Sequence, residues 1–171
     1  MKQNLIVIDN FYDDPDTIRT FALEQDFNVK GNYPGKRTKS YLSAEAKEKI
    51  QSILGEVSWH DIDGGTGSFQ YTTALETSWI HKDTTEWAGV CFLTPNAPLD
   101  SGTILFKDRK IDNEKEVYDL TKFEKDTIIS NVYNRLILYR GDLLHKSNNY
   151  FGLDRNDARL FQVFFLGELY A

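Results

Sequence analysis

From residue 57 onward, short β-type runs alternate with clusters of turn residues, and this rhythm constrains the chain more than any other feature of its sequence. The runs are Phe69–Leu75, Ser78–Lys82, Ala88–Thr94, Thr103–Phe106, Arg135–Arg140 and Arg159–Leu166. Between them lie turn clusters such as Asp63-Gly64-Gly65-Thr66-Gly67 and Pro95-Asn96-Ala97-Pro98. Many short strands with turn signals predict a sandwich or barrel. Before residue 57 the texture differs. Leu5-Ile6-Val7-Ile8 reads as a buried strand. Asp14-Pro15 sets an N-cap followed by proline at the first helical position, so a helix is expected near 15–26. Residues 28–40 read as a loop rich in Lys and Arg, and Ala44–Leu54 as a second helix. Phe21 and Ile53 are the expected contacts of these helices with a sheet. The expectation is therefore a mainly β domain with flanking α-helices, spanning 1–171. It has an N-terminal strand and helices in 1–56 and a β core in 57–171. The charged stretch 107–131 breaks the rhythm and reads as an insertion, either a functional flap or a surface excursion, with one helical turn near Leu120–Lys125.

Composition removes several function classes. A net charge of −6 disfavours non-specific nucleic-acid binding, which depends on Lys and Arg neutralising phosphates, so no nucleic acid is expected as a partner. One cysteine, Cys91, excludes an internal disulfide and a thiolate zinc site, and fits a reducing compartment. The apolar run near the N-terminus is too short for a signal-peptide core or a membrane span, so a cytoplasmic, membrane-free protein is expected.

There are three histidines, His60, His81 and His145. In Trp79-Ile80-His81-Lys82-Asp83, strand alternation places His81 and Asp83 on one face, with Trp79 sharing their parity. An imidazole and a carboxylate on one face can take adjacent positions on a metal. His145, after the strand Leu136-Ile137-Leu138-Tyr139 and the turn Gly141-Asp142, is the natural third ligand. Two His and one carboxylate leave open positions suited to iron(II) with a bidentate co-substrate and O2. The bland alternative is a strand histidine whose ring is held by Asp83. His60 has no partner at useful spacing and reads as structural or surface. Arg159 shares a face with Phe161, Val163 and Phe165, and a guanidinium at the end of an apolar face needs a partner. Asp157 is one; the distal carboxylate of a bound 2-oxo acid is the other.

These segments, in this order, resemble the iron(II)/2-oxoglutarate oxygenase superfamily, nearest its prolyl-4-hydroxylase-like branch. Val7-Ile8-Asp9-Asn10-Phe11 before a Pro-capped helix is similar to the usual entry of these domains. His81-Lys82-Asp83 matches the H-x-D metal motif. Cys91–Thr94 followed by Ser101-Gly102-Thr103-Ile104-Leu105-Phe106 resembles the strand, loop and glycine-led strand of the family. Asn134–Tyr139 resembles the strand before the distal histidine. Tyr71, ten residues before His81, lies where that branch places a tyrosine on 2-oxoglutarate. Arg159 opens the final strand, where the family carries its 2-oxoglutarate-binding Arg or Lys. Two departures stand out. Arg159 follows His145 by fourteen residues, whereas Arg155 follows it by ten, the commoner spacing. Phe92 stands where some relatives have a second tyrosine.

The resemblance implies a double-stranded β-helix, a cupin-like jelly roll, with Fe(2+) on His81, Asp83 and His145. It implies 2-oxoglutarate as co-substrate, contacted by Arg159 and Tyr71, and O2 as oxidant. The implied activity is a dioxygenase, a hydroxylase coupling 2-oxoglutarate decarboxylation to succinate and CO2 with C–H oxidation. The substrate is a small molecule or a peptide or protein side chain. The alternative is a cupin-like metal-binding module or metalloenzyme that uses no 2-oxo acid. Candidate recognition surfaces are the basic loop around Tyr33–Thr38, suited to an acidic substrate, and the insertion 107–131.

Overall fold

A computed structural model describes residues 1–60 and 63–169. Nine strands and two α-helices follow in chain order: β1 Leu5–Ile8, α1 Pro15–Leu23, β2 Lys36–Ser40, α2 Ala44–Leu54, β3 Ser68–Thr72, β4 Thr85–Phe92, β5 Thr103–Phe106, β6 Lys125–Ile129, β7 Leu136–Arg140, β8 His145–Ser147 and β9 Arg159–Leu169. The strands form two antiparallel sheets. The major sheet runs β1-β7-β4-β9-β3-β2 and the minor one β6-β5-β8. The arrangement is a jelly roll with helices against one sheet. Among the described residues no helix is long and apolar enough to cross a membrane.

Strand alternation sorts the central strands onto two cores. In β7, Leu136 and Leu138 face the helices, whereas Ile137 and Tyr139 face the minor sheet. In β9, Leu160, Phe164 and Leu166 face the helices, and Phe161, Val163 and Phe165 face inward. Because both faces are covered, these strands read as continuous apolar runs. Each fully buried side chain of this kind contributes about 1.5–3 kcal/mol relative to exposure.

Both helices begin where the sequence places them. The Asp14 side chain accepts from the Thr17 N–H at 3.1 Å, and the Ser43 side chain from the Ala46 N–H at 3.1 Å. Helix α1 stops at Leu23, short of the expected 26, and Phe27 turns back to pack edge-on against Tyr71. The sheet-facing residues are Ala22, Ala46 and Ile50. Phe21 is 41% exposed, although its ring still reaches Tyr41 and Phe69, and Ile53 is 38% exposed. Small residues at the interface let the helices lie close to the sheet and push the larger side chains to its rim.

Three expectations need correction. Residues 36–40 form an edge strand, β2, rather than loop; Lys36 and Lys39 point to solvent while Arg37 and Thr38 are buried. Charged residues are the usual protection of an exposed sheet edge. Residues 78–82 make no regular strand: only His81 pairs, in a single bridge with His145. The stretch 107–131 is built into the fold. It supplies β6, two 3₁₀ turns at Glu116–Tyr118 and Leu120–Lys122, and a cover for the outer face of the minor sheet. There Ile111, Val117 and Phe123 pack on Ile80, Ile104, Phe106 and Leu144. The N-terminal 56 residues likewise contribute both edge strands of the major sheet, β1 and β2.

Candidate metal centre and its cavity

The bridge between His81 and His145 positions the site. The His81 N–H donates to the His145 carbonyl at 3.0 Å, and the His145 N–H to the His81 carbonyl at 2.9 Å. Two residues on, the Asp83 N–H donates to the Gly141 carbonyl at 2.7 Å. Gly141 is required here, because a Cβ would meet the Thr85 carbonyl oxygen at 2.0 Å. These main-chain contacts bring His81, Asp83 and His145 together with their ligand atoms within 4.8 Å of one another. His145 Nε2 lies 3.2 Å from Asp83 Oδ2, and His81 Nε2 3.8 Å from Asp83 Oδ1.

Both rings are held by their other nitrogen. His145 Nδ1 lies 2.8 Å from the Leu143 carbonyl, and His81 Nδ1 3.1 Å from the Trp79 carbonyl. A carbonyl only accepts, so Nδ1 of each ring carries a proton, and Nε2 of each ring is the atom turned to the carboxylate. At 3.2 Å His145 Nε2 and Asp83 Oδ2 are within hydrogen-bond reach, and a bound cation would take the place of the proton between them. Burial, the neighbouring His145 and Arg37 hold His81 below its ordinary pKa, although Asp83 and the Trp79 carbonyl oppose them. Burial alone would push Asp83 up. The hydrogen bond to His145 and the charges of both imidazoles and Arg37 outweigh it, so its pKa stays below the usual carboxylate value. A neutral imidazole and an ionised carboxylate are the ligand-ready forms.

The triad opens into a cavity of about 310 Å³ between the sheets. Trp79 lines it, although no regular strand runs through that residue, and Val90, Phe161, Val163 and Phe165 give the cavity apolar walls. Tyr139 also lines it, with its ring 4.6 Å from that of His145.

Arg159 is fully buried just beyond Phe161, with its guanidinium carbon 4.4 Å from that ring and 5.9 Å from the Tyr150 ring. Its Nε donates to the Ser101 carbonyl at 2.7 Å and one Nη to the Gly102 carbonyl at 3.2 Å. Gly102 is required for a different contact, since a Cβ there would meet the Ile129 carbonyl oxygen at 1.8 Å. Its other Nη has no partner, and neither has the buried Tyr150 hydroxyl. Burial pushes the Arg159 pKa down to about 10, so it remains charged at neutral pH. Asp157 is not its partner: that carboxylate accepts from the Leu153 and Asp154 N–H groups. A buried cation whose partners are neutral carbonyls, with one nitrogen left over, is costly unless an anion joins it.

Arg155 serves the fold. It donates to the Leu23 and Gln25 carbonyls at the end of α1 and lies over the Phe27 ring at 5.0 Å. Tyr71 does not reach the cavity. It sits on the helix side of β3, in the core with Phe27, and its neighbour Gln70 takes the cavity-facing position. His60 is a structural contact through Nε2 to the Gly167 carbonyl, 2.8 Å away. Sequence reasoning missed Tyr139 and Tyr150, and it named Arg37 only as part of the basic loop Tyr33–Thr38, without singling it out as the buried cation on β2 that lines the same cavity. Alternation from Tyr139 back to Ile137 was the signal for the first; Tyr150 carried none.

No protein-family profile and no curated protein matches this sequence. Solved structures do. HygX from Streptomyces hygroscopicus, with nickel, 2-oxoglutarate and hygromycin B bound, aligns with a TM-score of 0.69 at 11% identity, covering 96% of this chain and 82% of that one. A prolyl hydroxylase from Trichoplax adhaerens, in complex with a hypoxia inducible factor peptide fragment, aligns with a TM-score of 0.55 at 14% identity, covering 95% and 83%. EctD from S. alaskensis, with 2-oxoglutarate and 5-hydroxyectoine, aligns with a TM-score of 0.57 at 12% identity, covering 96% and 72%. The chain thus has the jelly-roll fold of these three proteins along nearly its whole length.

Proposed function

We propose that this chain is an iron(II)- and 2-oxoglutarate-dependent dioxygenase, a hydroxylase of a small molecule or of a peptide or protein side chain. One observation carries the reading: a two-histidine, one-carboxylate cluster opens into a cavity, and a buried arginine with one unpartnered nitrogen, Arg159, lies against the Phe161 and Tyr150 rings that line that cavity. Similarity in fold to proteins solved with 2-oxoglutarate and nickel or iron supports it. The donor set fits the metal, since two imidazoles and a carboxylate on one side leave the opposite side open.

His81 Nε2, Asp83 and His145 Nε2 would hold iron(II), and Arg159 the distal carboxylate of 2-oxoglutarate. When bound with O2, these groups supply a C–H oxidation coupled to conversion of 2-oxoglutarate to succinate and CO2. The chain orients and shields. The Leu143 and Trp79 carbonyls fix both imidazole tautomers, as second partners of metal-binding histidines do. The Ser101 and Gly102 carbonyls fix the Arg159 fork so that its open edge is presented to an anion. Tyr150 is placed to add a hydroxyl donor beside it. Val90, Val163, Phe161 and Phe165 give the cavity apolar walls, and a charge interaction beside such walls is stronger than in open water. We read 1–171 as one working domain in the cytoplasm, where the buried thiol of Cys91 stays reduced.

The test is succinate release from 2-oxoglutarate with iron(II) supplied under air, with and without a substrate library. Release that requires iron and disappears in Asp83→Ala is the expected result. Metal binding without any 2-oxoglutarate consumption would move the protein to the cupin-like alternative.

A further inference from the structure

We propose that Arg37 and Gln70 form a second, separate carboxylate-recognition site, and that the substrate of the oxidation carries a carboxylate group held there. The inference rests on the oxygenase reading for the word substrate, but the site itself stands on its own geometry. Arg37 is 8% exposed and lines the cavity from the β2–β3 side. Among the described residues no carboxylate lies within ion-pair distance of it. Its immediate partners are neutral. Nε and one Nη donate to Gln70 Oε1, at 3.0 and 2.5 Å, and the other Nη donates to the Gly64 carbonyl at 2.6 Å. Gln70 is itself fixed, because its amide nitrogen donates to the Pro34 carbonyl at 2.6 Å. The Tyr33 ring lies under the guanidinium at 3.8 Å, and its hydroxyl donates to the Val29 carbonyl.

A guanidinium has five N–H groups, and three of them are used in this way. Two remain on a cation that is braced on one edge, stacked on one face and bordering the cavity. Rigid bracing of this kind lowers the ordering cost of binding a planar anion. The position is also right for a substrate. Arg37 lines the same cavity as His81, Asp83 and His145, whereas Arg159 is wholly buried against the Phe161 and Tyr150 rings. A carboxylate suits one isolated fork better than a phosphate does. The nearby Lys82, which would add the second cation a phosphate favours, is already paired with Asp108 at 2.8 Å.

The test uses the zinc-loaded protein labelled with ¹⁵N-arginine. Both Nε–H groups are bonded to internal acceptors and should give resolved, slowly exchanging signals, assigned with Arg37→Lys and Arg159→Lys. The protein is titrated with 2-oxoglutarate, and then, with 2-oxoglutarate present, with N-acetylglycine and separately with its neutral amide. The expected result is that 2-oxoglutarate moves the Arg159 signal and the acid moves the Arg37 signal. The acid should bind roughly tenfold tighter than the amide, and the difference should vanish in Arg37→Gln while 2-oxoglutarate affinity holds. If 2-oxoglutarate saturates the Arg37 signal, or if acid and amide act alike, the proposal is overturned. If 2-oxoglutarate moves neither arginine, the oxygenase reading fails, and the acid–amide comparison still decides the Arg37 site by itself.

Discussion

Replacing Arg159 separates the two arginines that sequence spacing offers as co-substrate anchors. Arg159 is wholly buried, uses two of its three guanidinium nitrogens for two carbonyl bonds, and has one Nη without any partner. Arg159→Gln removes the charge opposite a desolvated carboxylate, a loss of about 2–5 kcal/mol. At about 1.4 kcal/mol per tenfold, apparent 2-oxoglutarate affinity should fall roughly 30- to several-thousand-fold. Arg159→Lys should fall in between, since an ammonium keeps the charge but cannot grip both carbonyls and a bidentate anion at once. Arg155→Ala gives a different signature. It loses hydrogen bonds to Leu23 and Gln25, each contributing about 0.5–1.5 kcal/mol, so stability drops while 2-oxoglutarate affinity does not. The assay is the 2-oxoglutarate dependence of succinate release in all three variants, with thermal melts alongside. Loss of affinity in Arg155→Ala at unchanged affinity in Arg159→Gln would refute the reasoning.

Further outcomes are expected at other positions. His145→Ala should lower metal affinity by more than about 100-fold, since even outer partners of metal ligands are worth about 10–100-fold, and should keep the fold, because the bridge to His81 is made by main-chain atoms; metal titration and circular dichroism check both halves. Tyr71→Phe should leave 2-oxoglutarate dependence unchanged, because the ring lies in the helix-side core; a large rise in the half-saturating concentration would contradict that placement. Gly102→Ala should cost about 1–3 kcal/mol through the clash with Ile129, read as a lowered melting temperature. In metal-free protein the folded-state pKa values of His81 and Asp83 both lie below their ordinary values of 6.5 and 3.8. Each therefore contributes stability that is present above that value and is lost as pH falls through the folded one. The melting temperature should decline below about pH 6.5, and His81→Gln should lack the first part of the decline; superimposable pH profiles would contradict this.

The legible parts of this chain were those where local chemistry and tertiary demand agree. Helix α2 has a serine cap, a glycine stop and apolar residues on one side, and its limits came out at 44 and 54. Strand β5 was likewise readable to the residue, and the ends of β7 and β9 nearest the site were readable to within one. The clustering of His81, Asp83 and His145 was legible because H-x-D and a histidine after a strong strand are local patterns, although the geometry that joins them is one bridge rather than the regular strand expected at 78–82. Charged segments misled. Strand β2 and the cover formed by 107–123 are rich in Lys, Arg and Asp because they lie at a sheet edge and on an outer face, where charge and regular structure coexist. Arg37 was hidden for the same reason: nothing in Lys36-Arg37-Thr38-Lys39 marks which cation turns inward. Tyr71 was misplaced because chain distance from His81 was read without the parity of β3, in which Gln70 and not Tyr71 faces the cavity.

The most direct test of the metal-and-2-oxoglutarate account is a crystal structure grown without oxygen in the presence of nickel(II) and 2-oxoglutarate. The account predicts one metal bound by His81 Nε2, an Asp83 oxygen and His145 Nε2 at about 2.0–2.2 Å, by analogy with zinc distances to the same ligand types. It also predicts a 2-oxoglutarate carboxylate on the free edge of Arg159. A metal bound elsewhere, or 2-oxoglutarate lying away from both the triad and Arg159, would contradict it.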